Sequence, residues 1–164
     1  MCSMKKIKRF ELKYSKIAGQ GVFAIKDYNK GEYISSIGNE TLEVEDPNTL
    51  EYDKFESAFP IGKNGNKFIY VISSPAIHLN HSCTPNAGIR NDRELIAMKK
   101  IKKGEEIVVD YAICNIDGFK MECRCGSKKC RKQVMLFEDL DAKSQRRYLH
   151  FTISYIKNRY LKNV

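Results

Sequence analysis

The sequence predicts a mainly β domain of short strands, followed by a metal-clamped loop and one C-terminal helix. Three observations predict it. Between residues 10 and 111, short β-branched and aromatic runs alternate with Gly, Pro and Asn punctuation. Three of the six cysteines then crowd into Cys123–Cys130. From about Leu140 the apolar period changes, and Leu149, Ile153, Ile156 and Tyr160 fall on one face of a helix.

Phe10–Tyr14 alternates with period two, as a half-buried strand does. Gly19-Gln20-Gly21 interrupts, and Val22-Phe23-Ala24-Ile25 resumes the apolar run. Asn29-Lys30-Gly31 marks another turn. Residues 39–66 are more polar, with Pro47, Pro60 and the turn Gly62-Lys63-Asn64-Gly65-Asn66; they read as an irregular insert with a short helix around 49–58. Phe68–Ile72 is a strand. After the irregular stretch Ser73–Asn86, a strand pair follows at 87–91 and 94–100, joined by Asn91-Asp92-Arg93. Lys103-Gly104 turns the chain into a last strand, Ile107–Tyr111.

The chain has 164 residues, 42% hydrophobic and 30% charged. That composition belongs to a globular domain and excludes a disordered or collagen-like chain. No apolar run approaches the ~20 residues that span a bilayer, and the first residues lack the apolar core of a secretory signal. The expectation is an intracellular protein, cytoplasmic or nuclear, with no membrane partner. Net charge is +9, and residues 120–164 hold twelve Lys and Arg against four Asp and Glu. This asymmetry favours an acidic partner, nucleic acid among them; the plain alternative is a solvated basic helix.

Cys123-x-Cys125-x₄-Cys130 offers three thiolates from one tight loop bent at Gly126-Ser127. Arg124, Lys128, Lys129 and Arg131 favour the thiolate form. A closed structural zinc site wants four ligands, so a fourth must come from Cys83, Cys114 or a histidine. Gly19-x-Gly21 alone is a turn; it fits no phosphate loop, because no third glycine and no Gly-Lys-Ser/Thr follows. Asn80-His81-Ser82-Cys83-x-Pro85-Asn86 concentrates side chains that bond to backbone and hold one shape. Tyr111 ends the last strand; its hydroxyl needs a partner when buried, and at a pocket that partner can be a substrate.

These segments, in this order, resemble the SET-domain protein lysine methyltransferases with a post-SET zinc segment. The matching blocks are Ile17–Ala24, Lys30–Ile34, Leu79–Asn86, Lys103–Tyr111 and Cys123–Cys130, and they span about residues 8–133. The compact form looks like the small stand-alone SET proteins of microbes and viruses. The resemblance implies several small antiparallel sheets, with the strand ending at Tyr111 threaded, pseudoknot-like, through the loop 79–86; such threading is rare. It implies a SET domain at 1–118 (insert about 39–66), a post-SET zinc segment at 119–135 and a basic helical extension at 136–164.

The resemblance further implies S-adenosylmethionine as cofactor, bound by Gly19, Gln20, Gly21, Asn80, His81 and Tyr111, with Tyr111 catalytic. It selects Cys83 as the fourth ligand beside Cys123, Cys125 and Cys130, around a structural zinc. The implied activity is transfer of methyl groups to a lysine amine of a protein substrate, with histone, histone-like and ribosomal proteins all open. The acidic residues Glu32, Glu40, Glu43, Glu45, Asp46, Glu51, Asp53 and Glu56 are placed to attract a basic substrate. The rival readings are a SET-like binding module for a protein or nucleic acid, and a zinc-nucleated nucleic-acid binder with no cofactor.

The sequence departs from the family at four places. Gln20 stands where an aromatic residue is common, Ser35-Ser36-Ile37-Gly38 replaces Glu-Tyr-x-Gly, Ile77 replaces an Arg, and Val109 stands two before Tyr111 where Phe or Tyr is usual. One channel tyrosine is therefore missing or moved, with Tyr33, Tyr52 and Tyr70 as stand-ins.

Overall fold

The computed structural model describes residues 8–50 and 58–163. Among the described residues, nine strands form three antiparallel sheets of three. The first pairs β1 (Phe10–Tyr14), β2 (Gln20–Ala24) and β9 (Glu106–Ile107). The second has the order β3 (Tyr33–Ser36), β8 (Glu94–Ala97), β7 (Ala87–Arg90). The third has the order β4 (Thr41–Val44), β6 (Lys67–Val71), β5 (Phe59–Asn64). Two short helices close the chain, α1 (Ala142–Tyr148) and α2 (Ser154–Lys162).

The local signals worked where a strand is half buried or a turn is tight. Asn91 and Asp92 carry φ of 51° and 59°, the left-handed turn that Asn and Asp tolerate, and β7 and β8 leave it in register. The expected irregular insert is instead a sheet. Its residues 41–44 and 59–64 flank β6 on both sides, with an irregularity between Pro60 and Gly62 that lets those breakers sit in a strand. Of the helix expected around 49–58, residues 47–49 form a 3₁₀ turn capped by Asp46, and 51–57 lie outside the described residues.

The single C-terminal helix is two. Thr152 and Ile153 are extended (ψ 146° and 147°), and the Thr152 hydroxyl donates to the Tyr148 carbonyl at 2.7 Å, closing the first helical stretch. Asp92 accepts from the Ser154 amide at 2.5 Å and so caps α2 from the distant β7–β8 turn. The break drives Ile153 and Ile156 fully into the core with Phe137, Ile89, Ile101 and Ile113. A Cβ on Gly88 of β7 would stand 2.5 Å from the Phe151 Cβ, so the glycine permits this close docking.

The segment that leaves β9 runs inside the loop 79–87. On one side Val109 donates to the Asn80 carbonyl at 3.2 Å and accepts from the Ser82 amide at 2.9 Å, a parallel bridge between His81 and Val109. On the other, the Val108 carbonyl accepts from the Asn86 and Ala87 amides, and the Asn86 side chain clasps the Glu106 carbonyl and the Val108 amide at 2.8 and 2.9 Å. The backbone N–H and C=O of both Val108 and Val109 are thereby paired.

Candidate active site

Tyr111 follows this clasped strand directly. It does not end the strand, as expected, but opens a 3₁₀ turn, Tyr111–Ile113, because the Asp110 carboxylate accepts from the Ala112 amide at 3.1 Å and caps it. The Tyr111 hydroxyl donates to the Leu79 carbonyl at 2.9 Å, and its amide donates to His81 Nδ1 at 3.1 Å. The two rings lie 5.2 Å apart and tilted by 56°. Burial pushes the Tyr111 phenol above its ordinary pKa, and pushes the His81 imidazole down to about 4 against the opposing pull of Asp110.

A cavity of about 800 Å³ opens on this pair. Gly19 and Gln20 line one side with Asn80, and Phe119–Met121 and Cys123–Cys125 line another. The third sheet contributes Phe59, Pro60 and Tyr70, with Pro47–Asn48 and Leu50 at the rim. Gly19 turns the β1–β2 connection with φ of 45°. Asn80 holds that turn: its Nδ2 faces Ala18 O at 3.0 Å, Gln20 O at 3.3 Å and Glu106 Oε1 at 2.8 Å. Three oxygens around one nitrogen fix the amide orientation.

The four sulfurs of Cys83, Cys123, Cys125 and Cys130 lie within 4.8 Å of one another. Cys123 is 3.7 Å from Cys83 and 3.6 Å from Cys130, close to the ~3.8 Å that tetrahedral zinc with ~2.3 Å Zn–S bonds would impose. The Arg131 and Lys132 amides point at Cys83 and Cys130, each at 3.4 Å, and support thiolates there. These donors fit a closed structural zinc site. Cys114 lies apart from them, its thiol pushed well up by burial and pointed at the Tyr111 carbonyl.

An ion pair joins this loop to the clasped strand. Arg131 Nη1 and Nη2 each stand 2.8 Å from an oxygen of Asp110, a carboxylate with no exposed surface. Thr84 adds a hydroxyl bond to Ser127 at 3.0 Å.

The SET domain family matches residues 19–112, the stretch that carries β2 to β9 and the clasp. The chain belongs to the SET domain family. Similar to this SET chain are histone-lysine N-methyltransferase 2D of Homo sapiens, 33% identical over 131 residues, and the H3 lysine-36 specific histone-lysine N-methyltransferase of Candida glabrata, 30% identical over 129 residues. The matches cover 72% and 71% of this chain, but 2% of the human protein and 18% of the yeast one. A crystal structure from Plasmodium falciparum, named for a candidate histone methyltransferase, overlays with a TM-score of 0.47 and 21% identity over 62% of this chain and 90% of that one. No helix among the described residues is long and apolar enough to cross a membrane.

Of the residues read from the SET motifs, Gly19, Gln20, Asn80, His81 and Tyr111 meet at the cavity, and the four cysteines meet beside it. Gly21 does not line the cavity. It sits in β2, where a Cβ would be 2.3 Å from Glu106 Oε1, so its small size serves packing. Tyr70 lines the cavity and donates to Asp117 at 2.6 Å, whereas Tyr33 lies under the Arg9 guanidinium and Tyr52 is outside the described residues. Glu40, Glu43, Glu45 and Asp46 are exposed along the strand leading to the rim; Glu51, Asp53 and Glu56 are outside the described residues. Motif reading missed the roles of Ser15, Glu106, Asp110 and Arg131. Glu106 and Asp110 stood inside a quoted motif, and Arg131 directly follows a ligand cysteine, but their partnerships are long range.

Proposed function

We propose that this chain is an S-adenosylmethionine-dependent protein lysine N-methyltransferase. One observation carries the reading: the Tyr111 hydroxyl, the Asn80–His81 pair and the Gly19–Gln20 turn converge on a single cavity. Membership of the SET family, and relatives named for histone-lysine methylation, support it.

When bound, S-adenosylmethionine supplies an electrophilic sulfonium methyl group. The protein's own task is then alignment of a neutral amine for in-line displacement. Because the Tyr111 hydroxyl spends its proton on the Leu79 carbonyl, its oxygen remains an acceptor, suited to orient an amine N–H. The His81 ring, neutral in its buried setting, supports the Tyr111 backbone without placing a competing charge beside a sulfonium. Aromatic and apolar walls from Phe59, Tyr70 and Leu79 disfavour an ammonium and favour the reactive free amine. Cys83, Cys123, Cys125 and Cys130 would hold a zinc ion whose contribution is structural, fixing residues 119–131 as one wall. The exposed carboxylates of Glu40, Glu43, Glu45 and Asp46 suit a lysine in a basic segment, such as a histone tail.

The test is incubation of the purified protein with labelled S-adenosylmethionine and core histones, then with a protein extract. Label on a lysine supports the reading. Cofactor binding without transfer to any protein points to a binding module instead.

A further inference from the structure

Glu106 stands beside Asn80, a residue that lines the cavity. Its carboxylate accepts from the Asn80 side chain at 2.8 Å and from the Ser15 hydroxyl at 2.8 and 2.9 Å. Both donors are neutral, and among the described residues no cation pairs with it. Ser15 is 2% exposed and also caps the Ile17 amide, so the carboxylate is held by the β1–β2 connection on one side and by the loop 79–87 on the other. Gly21 is bare where a Cβ would collide with it. The fold thus reserves space for a carboxylate that no cation among the described residues pairs with.

The same contact turns Asn80. With Nδ2 committed to Ala18, Gln20 and Glu106, the amide oxygen accepts no hydrogen bond from the described residues. A carboxylate on the Asn80 nitrogen and a free carbonyl oxygen on the same cavity-lining side chain suit a cation.

We propose that Glu106 is a positioning residue that makes this site prefer the cationic cofactor over its spent form, by orienting Asn80 and biasing the cavity with an unbalanced negative charge. This deepens the S-adenosylmethionine reading above and rests on it. Methyl transfer removes the sulfonium charge and leaves a neutral thioether, S-adenosylhomocysteine. A fixed anion therefore favours the reactant and eases release of the product.

The test measures affinities of S-adenosylmethionine and S-adenosylhomocysteine by calorimetry for the wild type and Glu106→Gln. The amide keeps size and an acceptor oxygen but removes the charge. The expected result is about five- to tenfold weaker binding of the sulfonium form, the size of one partly screened charge at several ångströms, with product affinity within about twofold. Equal losses for both ligands, or none, would overturn the proposal, since a purely structural role cannot tell them apart. A second measurement needs no variant: sinefungin, in which a carbon bearing a protonated amine replaces the sulfonium and its methyl, should bind the wild type more tightly than the thioether product does. Weaker binding would also overturn it. A wild type that binds none of the three ligands would instead bring down the cofactor reading itself.

Discussion

The cavity has two walls made in different ways. The Asn80–His81–Tyr111 wall is built from paired backbone: residues 106–111 are clasped by 79–87 and backed by a continuous apolar core. The wall from residues 119–135 has almost no core of its own. Only Cys123 and Val134 are buried there, while Phe119 and Met121 are 46% and 40% exposed. Four sulfurs and the Arg131–Asp110 pair hold it in place. Backbone pairing and core packing build the first wall; the proposed zinc site and the buried charge pair would have to hold the second.

Removing the metal should separate the walls most. Cys83→Ser, or chelation of the wild type, is expected to release one zinc per chain and to weaken S-adenosylmethionine binding by roughly 100-fold or more, because zinc binding energy is folding energy for such a loop. Circular dichroism should report the β sheets intact. Full cofactor affinity in zinc-free protein would show that the second wall stands without metal.

Tyr111→Phe strikes the first wall's chemistry and leaves both walls standing. Methyl transfer should fall on the order of 10²–10⁴-fold with cofactor affinity retained. Wild-type turnover would remove the hydroxyl from the mechanism.

Arg131→Met strands the buried Asp110 carboxylate and should cost about 3–5 kcal/mol in urea unfolding. Adding Asp110→Asn should recover much of that loss, and a double-mutant cycle measures the coupling. Additive losses would mean that the pair does not tie the walls together.

Asn80→Ala keeps the sheets but frees the Gly19 turn, and about tenfold weaker cofactor binding is expected by calorimetry. The smallest effect is one of pH. A raised Tyr111 pKa means that its proton stays on past the ordinary ~10. Transfer should therefore rise with pH as the substrate amine deprotonates and show no alkaline fall up to pH ~10; a fall setting in at pH 8–9 would contradict the buried phenol.

The sequence made the first wall's motifs legible and its partnerships opaque. Period-two patterning found β1, a run of β-branched and aromatic residues found β6, and Asn91-Asp92 announced its hairpin, since those signals are local. It missed β4 and β5, whose register depends on β6 and on tolerance of Pro60 and Gly62 at a bulge. The 4-3-4 spacing found the apolar face of the C-terminal segment but not the break at Thr152–Ile153, which a hydroxyl and the distant Asp92 create. The cysteine spacing announced three ligands, and only family resemblance selected Cys83 for the fourth. Ser15 reaches Glu106 across 91 positions and Arg131 reaches Asp110 across 21; no spacing rule connects residues so far apart.

The clasp also sets an order of events for the chain as it forms. His81 waits for an amide 30 residues later in the sequence, so the loop 79–87 emerges with nothing to close on. It must either close late around a strand already laid down or stay open for one to enter. Long-range pairing of this kind is slow, because loop closure precedes any reward. Every catalytic candidate here sits on that last-formed contact. A partly folded molecule would have sheets and helices but no place for a methyl donor, so activity would report completion of folding more faithfully than any spectroscopic signal of secondary structure.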